Sequence, residues 1–448
     1  MEQTGSDRTY LSAGSEIADF SDNEAVELFS EALRSAMQDI LGSSSAAKDS
    51  VLVLPPDATR FHSKAGLLTD AASGVLGQGL GAIMPALGTH VPMSAAEIGR
   101  MFPKSPIARF KGHDWRNEVT TLGRLEGGFV ERVSEGRLKY DWPAQVNNAL
   151  VSGGYSLVLS IGQVVPHEVI GMANHGKNVF VGTGGKEAID KSHFLGAAFG
   201  MERIMGRVDT PVRALFDEAA RRFQGLLPPI LYALTVVGRR EEGESAAGGG
   251  LALRGIYVGT GRKCFEEAAA LSRKVNVQIL DESVDKAVVW LDPEEYRSTW
   301  LGNKSVYRTR MAMADGGELL VLAPGLKGFG EDPSIDKLIR KFGYRPSDQI
   351  VDLVSREKDL ADSLSAAAHL VHGSPEGRFT VRYCPGSGLS AQEIESVGFF
   401  SGSLERAMKE YDPEKLRPGF NEVRGERIFF VPNPAIGLWA ERRRFGAD

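Results

Sequence analysis

Apolar residues recur at three- and four-residue spacing through AVELFSEALRSAMQDIL (25–41), which predicts a helix. The texture then changes. VLVL runs into PPDATR (55–60), GAIM into PALGTHVP (85–92), and YSLVLSIG into QVVPHEVIG (163–171). Each is a short apolar run that ends in proline, a small residue and a polar side chain. The pattern predicts buried strands whose C-terminal ends carry the chemistry, the end of an open α/β sheet where ligands bind. Ser94 and Glu97 stand at capping-box spacing and predict a helix start after the second run. The later half repeats the pattern. KAVVWLDPEEY, GGELLVLAPG, RFTVRYCPG and RIFFVPNPA are strand candidates, with PSIDKLIRKF and LSAQEIESVGFF as helices between them. The fold class expected is α/β, in two α/β domains with the active site in the cleft between them. The boundary falls near residue 277, after the helix CFEEAAALSRKV, giving domains 1–277 and 278–448. GESAAGGG (243–250) lies between two strand-like runs and reads as the tip of a β-hairpin rather than a linker. The first 25 or so residues read as a loosely held leader.

Composition narrows the classes. The chain has 448 residues, too many for one ordinary core. A net charge of −6 argues against a dedicated nucleic-acid surface. Cys264 and Cys384 stand far apart, so a disulfide framework or thiolate cage is not expected. MEQTGSDRTYLS has neither the basic nor the apolar region of a signal peptide, and no run reaches the length of a membrane span. A cytoplasmic protein without membrane or nucleic-acid partners is the expectation.

Candidate chemistry gathers where the apolar runs end. Asp57, Thr59 and Arg60 either form a capped turn or contact an anion or ribose, with Arg60 able to bind a carboxylate through two parallel hydrogen bonds. His90 and His167 each follow such a run, and histidine is the side chain best matched to proton transfer near neutral pH. The stretch 164–193 holds three of the eight histidines, His167, His175 and His193, together with Lys177. No cysteine pair is near, which disfavours structural zinc. GTGG (182–185) fits neither the dinucleotide nor the phosphate-loop spacing. Lys304, Arg308 and Arg310 form either a solvated helix face or a cation set for an anionic substrate.

In order and spacing, Asp57-Ala58-Thr59-Arg60, Gly88-Thr89-His90-Val91-Pro92, Pro166-His167, Lys177 and His193 resemble the nickel-dependent lactate racemase family. Lys304 before Gly316-Gly317 extends the resemblance, which covers roughly residues 45–435. It implies a racemase or epimerase of 2-hydroxy acids that uses a nickel-pincer nucleotide, a pyridinium-3,5-bisthiocarboxylic acid mononucleotide carrying nickel. It implies His193 as the nickel ligand and Lys177 as the site of covalent tethering. Asp57 and Thr59 would hold the nucleotide, and His90 and His167 would be paired acid/base groups. Arg60 and Lys304 would hold the substrate carboxylate. Partners implied are a small 2-hydroxy acid and the enzymes that build the cofactor.

Departures bear on the substrate. Ala173-Asn174-His175 replaces a Ser-Gly-Gly turn, Leu301 replaces a glutamine, and no tryptophan lies near residue 361. His175 could meet a substrate hydroxyl. Retained chemistry on a larger or more hydroxylated acid, such as an aldonate, is the expectation. The rival readings are a nicotinamide-dependent 2-hydroxyacid dehydrogenase, disfavoured by the missing dinucleotide fingerprint, and a non-catalytic cofactor-binding protein.

Overall fold

The computed structural model describes residues 7–42, 50–240 and 250–446. The chain divides into two compact units, residues 1–192 with 206–276, and residues 193–205 with 277–448. Each is an α/β unit built on a mixed six-stranded sheet.

In the first unit the strands lie in the order Thr9–Gly14, Leu251–Gly259, Ile230–Arg239, Leu157–Gln163, Val51–Leu54, Leu80–Ile83. The last four are mutually parallel and the first three antiparallel. All four residues of Val51–Leu54 and all seven of Leu157–Gln163 are buried. That explains their continuous apolar character, because a parallel strand is covered on both faces. Helix Asp22–Leu41 begins at a capping box of Ser21 and Glu24 and turns Ala25, Phe29, Ala32, Leu33 and Ala36 into the core beside Val51, Leu157 and Leu159. The capping box of Ser94 and Glu97 starts helix Ala95–Met101 as its spacing predicts.

Residues 1–6 of the expected leader lie outside the described residues, and from residue 7 on the segment is more ordered than its composition suggests. Thr9–Gly14 pairs with Leu251–Gly259 as the sheet edge, and Tyr10, Leu11 and Phe20 pack against the core. A six-residue edge strand with one covered face carries too little periodicity to stand out. Ile230–Arg239 and Leu251–Gly259 pair antiparallel with Arg239 opposite Leu251, while the proposed hairpin tip lies outside the described residues apart from Gly250.

In the second unit the order is Phe400–Ser401, Thr380–Pro385, Met313–Ala323, Val284–Trp290, Glu426–Val431, Gly419–Val423. Only Gly419–Val423 runs antiparallel to its neighbour. Met201 and Met205, from the 193–205 segment, bury with Val277, Tyr307, Met311 and Leu438. Among the described residues no helix is long and apolar enough to cross a membrane.

Candidate active site

Three parallel strands of the first unit deliver the candidate residues from their C-terminal ends. After Val51–Leu54, Asp57 caps the short 3-10 helix Ala58–Ser63. Its Oδ1 accepts from the Thr59 amide at 3.2 Å and the Thr59 hydroxyl at 2.5 Å. Its Oδ2 lies 2.6 Å from His90 Nδ1. Burial is the largest single influence on the Asp57 carboxyl and pushes it up. The His90 contact, the Thr59 hydroxyl and the Arg60 charge together outweigh burial and hold it below the ordinary value.

His90 follows Leu80–Ile83. Its amide donates to the Leu87 carbonyl at 3.1 Å, and Gly88, at φ +59, donates to the Gly182 carbonyl at 2.9 Å. The ring is 60% exposed. A carboxylate only accepts hydrogen bonds, so Nδ1 carries the proton and Nε2 of the neutral ring keeps its lone pair.

His167 is arranged the other way. It is buried in the small hairpin pairing of Pro166–His167 with Gly171–Met172. The Val169 amide donates to its Nδ1 at 3.1 Å, so in the neutral ring Nε2 carries the proton. Glu168 Oε2 stands 3.8 Å from the same Nδ1, close enough to take over as partner when that nitrogen is protonated.

Lys177 sits in the first turn of the short helix Gly176–Phe180 and is half-buried. Burial, then the charge of Arg60, lowers its amine to about 8, against the opposing pull of Glu168 and Asp57. The turn that delivers it is strained. Asn174 and His175 are both non-glycine residues at positive φ, +72 and +58. Asn174 Oδ1 accepts from the His175 amide at 2.7 Å. Arg213, fully buried, clamps the turn through Nη1 to the Asn174 carbonyl at 3.2 Å and Nη2 to the Met172 carbonyl at 2.7 Å. The His175 ring sits 4.1 Å from the Tyr232 ring and 5.2 Å from the Phe265 ring, centroid to centroid, and neither of its nitrogens makes a well-formed hydrogen bond. Burial, then the charge of Arg213, pushes that imidazole down to about 3, against a weak counter-pull from the Gly261 backbone. This is an interior aromatic packing position, unlike the substrate-facing one expected from sequence.

The Gly-rich turn is explained by packing. A Cβ on Gly182 would meet the Asn178 carbonyl oxygen at 2.4 Å, and one on Gly184 the Phe180 carbonyl oxygen at 2.2 Å. The glycines let the turn fold back on the Lys177 helix.

A cleft of about 630 Å³ opens beside His90, lined by Thr89–Pro92 and Gly112–Glu118. No motif in the sequence marked the second segment. Residues 16–203 match the lactate racemase N-terminal domain.

That segment of the chain is similar to the lactate racemase N-terminal domain.

Two solved structures share the fold. A Thermotoga maritima protein is 24% identical, with 96% of this chain and 99% of that chain covered at a TM-score of 0.75. The lactate racemase apoprotein from Thermoanaerobacterium thermosaccharolyticum is 14% identical, with 96% and 94% covered at 0.64. No curated protein matches the chain.

The remaining candidates from the sequence lie in the second unit. His193 lies half-buried on helix Lys186–Phe199. Lys304 starts helix Lys304–Thr309, with Nζ 5.6 Å from the centre of the Tyr296 ring. Arg308 and Arg310 form no solvated face. Both are buried, and Arg310 donates to the Val371 and His372 carbonyls at 3.1 Å each and to the Ser374 carbonyl. Buried His369 went unmarked in the sequence. It stacks on Trp300 at 4.2 Å, and its Nε2 meets the Tyr344 hydroxyl at 3.0 Å. Among the described residues no group of three or more His, Cys, Asp or Glu side chains is placed to hold a metal ion.

Proposed function

We propose that the protein is a racemase or epimerase that inverts C2 of a 2-hydroxy acid with a nickel-pincer nucleotide. The observation that carries this reading is the opposed proton arrangement of His90 and His167. Racemisation needs two acid/base groups, because the hydroxyl lies on different sides in the two stereoisomers. His90, with Nδ1 bonded to Asp57, is set to take the hydroxyl proton at Nε2, and the carboxylate stabilises the imidazolium that forms. His167 begins with the proton on Nε2, facing the opposite task. For it to act as an acid, Nδ1 must also be protonated, exchanging the Val169 amide for the Glu168 carboxylate.

The remaining roles follow the donor chemistry. The Arg60 guanidinium is half-buried and makes no ion pair among the described residues; its hydrogen bond is a long one to the Thr59 carbonyl at 3.5 Å. It is therefore available to a substrate carboxylate, with Lys304 as a second cation. Asp57 and Thr59 face the nucleotide by the family pattern. Both Asp57 oxygens already serve the chain, so its first duty is to orient His90, with spare lone pairs left for a ribose hydroxyl. We assign His175 to support of the Lys177 turn.

The cofactor fits the residues present. Lys177, with its amine lowered to about 8, has the neutral fraction that acylation requires. His193 offers one imidazole, a nickel-compatible ligand, and a single protein ligand is consistent with a cofactor that brings its own donors. The chemistry such a group supplies when bound is reversible acceptance of the C2 hydrogen as hydride. The substrate we propose is a hydroxylated acid longer than lactate, such as an aldonate.

The test is to produce the chain with cofactor-synthesis enzymes and measure nickel, intact mass and inversion of a 2-hydroxy acid panel. Wild type is expected to carry nickel and invert C2, and His193→Ala to lose the nickel. A nickel-free chain that oxidises a 2-hydroxy acid with a nicotinamide cofactor would overturn the proposal.

A further inference from the structure

The cleft beside His90 is a built feature. Its far wall, Gly112–Glu118, is pinned at both ends: the Lys111 amide donates to the Ile83 carbonyl at 2.9 Å and the Asn148 amide to the Glu118 carbonyl at 2.9 Å. Between these points the buried His113 is locked. Its Nδ1 accepts from Asn147 Nδ2 at 3.0 Å and its Nε2 donates to the Gly184 carbonyl at 3.0 Å. Asp114 folds the tip, its Oδ1 accepting from the Arg116 and Asn117 amides at 2.9 and 3.2 Å and its Oδ2 from Asn117 Nδ2 at 2.8 Å. A wall fixed this way is pre-formed, as binding sites generally are.

What the wall presents is specific. Trp115 is half-buried and exposed Arg116 lies over its ring, 3.6 Å from the centroid. Thr89, Asn117 and Glu118 add a hydroxyl, an amide oxygen and a carboxylate. Size leaves room for more than a three-carbon acid. At about 30 Å³ per heavy atom, the share of one water, six heavy atoms fill about 180 Å³. The cleft holds about 630 Å³. Charge speaks against a second carboxylate, since among the described residues Arg116 is the one Lys or Arg cation in the lining, against Asp114 and Glu118. Mixed donors and acceptors beside an aromatic ring suit a chain that is polar at its hydroxyls and apolar along its C–H edges.

We propose that Trp115, Arg116 and Asn117 form the subsite for the carbon chain beyond C3 and select a polyhydroxylated chain. This rests on the reading of His90 as an acid/base group, and it goes further by naming which residues choose the substrate.

The experiment uses the cofactor-loaded enzyme and compares kcat/KM for lactate, malate, phenyllactate and a six-carbon aldonate. The aldonate is expected to be best. The aldonate-to-lactate ratio should fall at least tenfold in Trp115→Ala and Arg116→Ala, while Trp115→Phe, which keeps a ring, should hold it within about threefold. Binding is read separately, from aldonate-induced shifts of isotope-labelled tryptophan indole signals, with the Trp115 signal assigned by the Phe variant. Aldonate binding that moves the Trp115 signal without turnover of any acid supports the subsite and sinks the racemase reading. Lactate turnover with no aldonate effect on Trp115 does the reverse. Malate or phenyllactate as best substrate, or variants that leave the ratio unchanged, overturns the subsite.

Discussion

The Asp57–His90 corner and the Met172–Lys177 turn solve the same problem by opposite means. At the first, a 60% exposed imidazole is aimed by one short contact to a carboxylate that also caps its own turn. Its positive-φ positions are single ones, Gly88 before His90 and Lys64 at the end of the short helix that Asp57 caps. At the second, a lysine is delivered by two consecutive non-glycine residues at positive φ. The fully buried Arg213 guanidinium, on helix Pro211–Phe223, holds the carbonyls of Met172 and Asn174. A proton-transfer group needs a tautomer, which one hydrogen bond sets. An amine proposed for covalent chemistry, as Lys177 is above, needs desolvation and a fixed backbone, which a packed interior supplies.

The sharpest way to break this comparison is Asp57→Asn. An amide in that place can donate to Nδ1 and favours the wrong tautomer of His90. Under the proposed mechanism, kcat should fall by about 10²–10⁴-fold with the fold retained. Steady-state rates in both directions check it, and an unchanged kcat would remove the contact from the mechanism.

Lys177 sharpens the other side. Its amine at about 8, against an ordinary 10.5, should be roughly 300-fold more often neutral at pH 7 than a free lysine. Acylation of the cofactor-free chain, followed site by site with mass spectrometry, should inflect near pH 8. The same shift predicts a stability trend. Between about 8 and 10.5 the unfolded chain binds the extra proton, so this group's contribution to stability rises with pH across that window. Inflection above about pH 10, near the free-lysine value, would mean the turn does not desolvate the amine.

The smallest effect concerns the turn itself. Glycine ordinarily destabilises relative to alanine, yet at φ +58 the order should reverse. His175→Gly should be more stable than His175→Ala by about 1–2 kcal/mol, with both less stable than wild type for loss of the ring packed against Tyr232 and Phe265. Paired denaturant titrations of the two variants decide it.

Much of the first corner was legible. The apolar runs pointed to the α/β class and its strands because a parallel strand buried on both faces must be continuously apolar. Asp57, Arg60, His90, His167 and Lys177 stood out because polar side chains at strand ends are few. The Gly112–Glu118 wall did not stand out, since its residues are ordinary turn formers and its place beside His90 depends on Asn147 and Gly184. Thr9–Gly14 was hidden for a related reason: an edge strand is identified by its neighbour.

By itself, then, the sequence determined the alternation of helices and strands, the capped start at Ser94, and the identity of the acid/base candidates, because periodicity, capping and side-chain chemistry are local. Tertiary structure alone decided which imidazole nitrogen carries the proton in His90 and His167, that His175 faces an aromatic interior, that Arg308 and Arg310 are buried, and that Arg213 holds the Lys177 turn. Each of those depends on a partner distant along the chain or on backbone geometry that no residue type encodes alone.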